Sequence, residues 1–137
     1  MPDSEVFIYI GGILTLLMAV FHTRFYRLFL WGSDFAKITE RNRRILYTVH
    51  IALLLLFFIL GAISLVYTKE LAGAKGLARG ILLGFVIFWF WRTVWQPIYF
   101  RPSRIKRFRP LLVMHYIMTV WFLLLFIVYL IPLIMSQ

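Results

Sequence analysis

Four side chains carry most of the chemistry open to this chain: its three histidines, His22, His50 and His115, and Arg92, which lies within an apolar run. Imidazoles ligate haem iron or a divalent metal, and together with a guanidinium they make a donor-rich pocket for an anion. The spacing is regular. His50 lies six residues after Arg44, and His115 lies six residues after Arg109. At about 1.5 Å per helical residue, each imidazole sits roughly 9 Å inward from its arginine.

The elements that must position these groups are membrane spans. The 137 residues are 63% hydrophobic and only 15% charged, against roughly 45–50% and 25% in soluble domains. So much apolar surface needs lipid as its solvent. The formal charge is +10, and the cations fall between the apolar runs. That layout reads as topology signals and contacts with anionic lipids, not as nucleic-acid binding. The absence of cysteine excludes disulfides, thiolate metal sites and Cys-based catalysis. The acidic start, Met1 to Glu5, lacks the basic region of a secretory signal, so the first apolar run is expected to remain as a span.

The sequence predicts an all-α integral membrane protein of one domain, residues 1–137, with spans near 6–23, 45–67, 71–96 and 111–134. The first span contains Gly11-Gly12, which allows close approach of a neighbouring helix. Between spans one and two, Arg24 to Trp31 mixes cations with large aromatics and reads as an amphipathic stretch in the headgroup region. Gly32-Ser33-Asp34 reads as a turn and N-cap before a short surface helix from Phe35 to Asn42. Span three reaches membrane length only if it starts near Leu71, and Pro97 is expected to stop it. Within it Gly76, Gly80 and Gly84 recur every fourth residue, the spacing of a helix-packing or self-association face.

Topology follows from the charges. The connections 24–44 and 97–110 carry six and five Lys or Arg, while the second connection carries only Lys69, Lys75 and Arg79. By the positive-inside rule the first and third connections are cytoplasmic and both termini lie outside. The expected fold is an up-down-up-down four-helix transmembrane bundle. Two related hairpins are a further reading, with His22-Thr23 corresponding to Arg92-Thr93 and His50 to His115. This arrangement brings all three histidines and Arg92 to the cytoplasmic leaflet.

Three chemistries suit such a set. His22, His50, Arg92 and His115, with no acid in any span to neutralise them, suit an anionic lipid headgroup or a small anion. The aromatics Trp31, Trp91, Trp95, Tyr99 and Tyr116 either line a cleft beside it or form an ordinary interfacial belt. Alternatively, His50 and His115 are axial ligands of a b-type haem, with His22 and Arg92 as propionate or outer-shell groups. A divalent metal held by His22, His50 and His115 is the third reading; no HExxH spacing supports it. Against all three stands a purely structural use, in which each imidazole donates to a carbonyl one turn back.

No catalytic residue is assigned. The acids are Asp3, Glu5, Asp34, Glu40 and Glu70, all outside the spans, and no serine has a base and an acid placed beside it in sequence. The functional expectation is a small polytopic protein of a bacterial cytoplasmic membrane that binds a ligand at its inner leaflet. The alternatives are a haem or metal redox protein and an accessory subunit of a larger membrane complex. Expected partners are anionic lipids, with a membrane protein or a second copy as further possibilities.

Overall fold

The computed structural model describes residues 3–100 and 109–136. Most of the basic third connection, including Arg101, Arg104, Lys106 and Arg107, therefore lies outside the described residues. The described chain is all-helical. Helix α1 is Asp3–His22, α2 Phe25–Leu28, α3 Trp31–Phe35, α4 Glu40–Val66, α5 Thr68–Gly73, α6 Gly76–Tyr99 and α7 Arg109–Met135. Four of these are long and apolar enough to cross a membrane: α1, α4, α6, and α7 from Leu111 onward. Large apolar side chains are left on their outer surfaces, among them Ile51 at 61% exposure and Ile87 at 60%. Such surface is tolerated where lipid replaces water.

By packing, the described chain divides into two compact units, one of residues 12–66 and one of residues 3–11 with 67–100 and 109–136. In the first, the later half of α1 runs antiparallel to α4. A Cβ built on Gly12 would fall 2.8 Å from Leu65 Cδ2, and one on Gly61 would fall 2.6 Å from Leu16 Cδ2 and 3.3 Å from the Gly12 carbonyl. Two bare backbones thus meet, the usual device for close helix approach in lipid. Helix α4 begins at Glu40, ahead of the expected Ile45. Thr39 Oγ1 accepts from the Asn42 N–H at 3.4 Å, and Glu40 pairs with Arg43 and Arg44. A cap and two ion pairs across one turn extend the helix beyond its apolar run.

The expected helix over 35–42 is not present. Gly32, Ser33 and Asp34 fall inside α3, and the chain turns between Phe35 and Glu40. The break between α2 and α3 is at Leu30, which adopts a left-handed backbone with φ 52°.

In the other unit, α6 and α7 pack antiparallel along their length. Phe85 meets Tyr129 edge-on at 5.1 Å between ring centroids, and Trp89 stacks on Phe122 at 6.0 Å. Leu82, Trp89, Phe122, Leu125 and Tyr129 are fully buried there. Gly11 serves the same packing, since a Cβ at that position would lie 2.8 Å from Tyr129 Cζ. Helix α6 begins at Gly76, not near Leu71, because Ala74 and Gly76 take left-handed backbones and set α5 apart from α6. Pro97 does not end α6, which continues to Tyr99. The proline ring removes one donor close to the helix end, and the Phe100 N–H still bonds the Gln96 carbonyl at 3.1 Å.

The glycines expected to form a packing face behave differently. Cβ atoms built on Gly76, Gly80 and Gly84 meet nothing within 4 Å. Among the described residues, this stripe covers no other part of the chain.

Candidate functional site

Arg92 sits on α6, half-buried, three turns after Leu82 and one turn before Gln96. Its guanidinium carbon lies 4.5 Å from the centroid of Phe122 and 5.6 Å from that of Trp91. Phe122 is itself backed by Trp89. Aromatic faces attract a cation, but they do not neutralise it. Arg92 Nη2 donates to Gln96 Oε1 at 3.3 Å, and Gln96 Nε2 donates towards His115 Nδ1 at 3.4 Å. Gln96 is 7% exposed and His115 5%.

The order of this relay follows from the groups available. A guanidinium only donates, so the Gln96 oxygen must face Arg92 and its amide nitrogen must face His115. The imidazole then accepts at Nδ1, which places its proton on Nε2. One turn on, Thr119 Oγ1 donates to the His115 carbonyl at 2.8 Å, and Thr93 Oγ1 donates to the Trp89 carbonyl at 2.8 Å. Those hydroxyls are satisfied locally and do not compete for the relay.

Charge is the unusual quantity. The ion pairs of the described residues are Lys37 with Asp34 and Glu40 with Arg43 and Arg44, all on exposed side chains. No described carboxylate lies within ion-pair distance of Arg92. Arginine keeps its proton under all ordinary conditions, so the charge persists inside a membrane-length helix where the described partners are two rings and an amide.

His22 and His50 lie together in the unit of residues 12–66. Their ring centroids are 6.0 Å apart and nearly parallel. His22 Nδ1 donates to the Met18 carbonyl at 3.0 Å, one turn back, and the ring is 3% exposed. Phe25 stacks on His22 at 4.0 Å, and Phe57 meets its edge at 4.8 Å. His50 is half-buried against Trp31 at 4.8 Å and Phe25 at 5.9 Å. These ring contacts join α2 and α3 to the start of α4. His115 and Arg92 belong to the other unit. Among the described residues, no group of three or more His, Asp or Glu could hold a metal ion.

Of the aromatics expected near a ligand, Trp91, Trp95 and Tyr99 form a stacked ladder on the outer surface of α6, at 5.8 and 5.1 Å. Tyr116 is 55% exposed. Gln96 is the residue that reading the sequence missed. Its signal was present in the i, i+4 spacing from Arg92, which puts the two side chains on one helix face. Comparison of the chain with protein-family models, with curated proteins and with solved structures finds no match.

Proposed function

We propose that this is a small polytopic membrane protein that binds an anionic group, a lipid headgroup or a small phosphate or carboxylate, at Arg92. The observation that carries this reading is an arginine inside a membrane-length helix with no described carboxylate in ion-pair range. A charge in that setting costs several kcal/mol unless it is paired, and an anion is the missing half of the pair. Gln96 and His115 orient the guanidinium and supply further donor capacity.

The finer architecture belongs to the same proposal. The four long helices cross a bacterial cytoplasmic membrane as an up-down-up-down bundle, with both termini outside and the basic connections inside. Support comes from the charge distribution, six and five cations in the first and third connections. The reading of two related hairpins has support in a shared pattern. In one unit the last residue of α1, His22, meets His50 of α4; in the other, Arg92 near the end of α6 reaches His115 of α7 through Gln96.

The test is binding by the full-length protein in detergent, titrated with phosphatidylglycerol and separately with sodium phosphate. Arg92→Gln is expected to weaken retention of one of them at least tenfold. Equal retention by wild type and Arg92→Gln for both probes removes the proposal.

A further inference from the structure

A second feature lies at the corner where α2 turns into α3. A shallow, open depression of about 300 Å³ lies there, lined by Tyr26, Arg27, Leu30, Gly32 and Ser33. Its size is at the low end for ligand sites, enough for a headgroup and not for a large cofactor. Its wall surface is mostly apolar, as the ring of Tyr26, the side chain of Leu30 and the stem of Arg27 provide, with a small polar part. Tyr26 is held in place by stacking on Tyr47, at 6.0 Å between centroids. Gly32 keeps the wall open, because a Cβ there would lie 3.2 Å from the Tyr26 hydroxyl. Leu30 holds a left-handed backbone, and its side chain is 70% exposed beside the opening. A non-glycine residue in that conformation is maintained against local strain, which is common at ligand sites.

Charge again points to an anion. Arg27 has no described carboxylate within ion-pair distance, and the nearby Asp34 is taken by Lys37 at 3.5 Å. The corner follows directly on the end of one membrane-length helix and precedes the start of the next. It therefore lies at the level of lipid headgroups.

We propose that the α2–α3 corner binds the phosphate of a membrane lipid, with Arg27 as its cation and Leu30 against the glycerol and upper acyl chain. Ser33 contributes only acceptor capacity, since its hydroxyl proton is given to the Leu30 carbonyl at 2.8 Å. This site is independent of Arg92 and does not rest on that reading.

The test is native mass spectrometry of the full-length protein titrated with phosphatidylglycerol, with phosphatidylcholine and with inorganic phosphate. Arg27→Gln is expected to weaken phosphatidylglycerol retention at least fivefold. Gly32→Leu, which fills the depression without changing charge, is expected to do the same. Arg24→Gln, an arginine outside the lining of the depression, should change it less than twofold. Unaltered retention in Arg27→Gln, or a loss no larger than that of Arg24→Gln, overturns the site. Displacement of the lipid by millimolar inorganic phosphate also overturns it, by making free phosphate the ligand. If Gly32→Leu fails to fold, Arg27→Gln against Arg24→Gln decides alone. Loss of lipid in Arg92→Gln with no loss in Arg27→Gln sinks this site and leaves the Arg92 proposal standing.

Discussion

Among the described residues, Arg92 is held by rings and an amide and not by an opposite charge. Phe122 lies under its guanidinium at 4.5 Å and Gln96 accepts one of its five N–H groups. Gln96 is the positioning residue of the set, because it connects Arg92 to His115. Gln96→Leu keeps a similar volume and removes both bonds. A hydrogen bond to a charged group is worth about 1.5–3 kcal/mol, so this variant should bind the anion about tenfold more weakly while remaining folded. Titration of the variant with phosphatidylglycerol and phosphate, beside a circular dichroism melt, checks this. Arg92→Lys should lose nearly as much as Arg92→Gln, since an ammonium lacks the planar fork that spans the Phe122 ring and the Gln96 oxygen. Arg92 and His115 were legible in the sequence as polar residues in apolar runs. Gln96 was harder to read, because its i, i+4 spacing marks a face shared with Arg92 while nothing in the sequence places His115, nineteen residues on, beside it.

At the scale of helices, glycine position and not glycine spacing decides where backbones meet. Gly61 and Gly12 face one another across α1 and α4, whereas Gly80 and Gly84 face no described atom. Gly61→Leu is expected to cost about 1–3 kcal/mol through overpacking, lowering the thermal midpoint in detergent. Gly80→Leu should leave that midpoint unchanged. The regular four-residue repeat in α6 was the stronger signal in the sequence, and the isolated Gly61 gave none, because periodicity reports a shared face but not what covers it. The short helices follow similar logic. Trp31 packs on Phe35 at 5.0 Å and on His50 at 4.8 Å. Each such ring pair contributes about 0.5–1.5 kcal/mol, so Trp31→Ala should loosen residues 24–39 selectively. Faster amide exchange there, with α6 and α7 unchanged, is the expected result. The ends of α4 and α6 differed from the sequence reading for local reasons: the Thr39 cap and Glu40 pairs lengthen one, and the left-handed Ala74 shortens the other.

For the molecule as a whole, the sequence made the four long apolar helices legible, because a run of about twenty apolar residues has few other uses. Within each unit, polar groups singled out in the sequence come together. His22 and His50 share one unit, with stacked aromatics about them, and Arg92 and His115 share the other through Gln96. The charge balance of +10 leaves more cations than the five acids can neutralise, and anionic lipid is the natural counterpart on a membrane surface. The most direct measurement is the retention of phosphatidylglycerol and of inorganic phosphate by wild type, Arg92→Gln and Arg24→Gln under identical detergent conditions. Anion binding at Arg92 predicts that Arg92→Gln loses one bound anion while Arg24→Gln keeps it. Indistinguishable retention across the three proteins contradicts it.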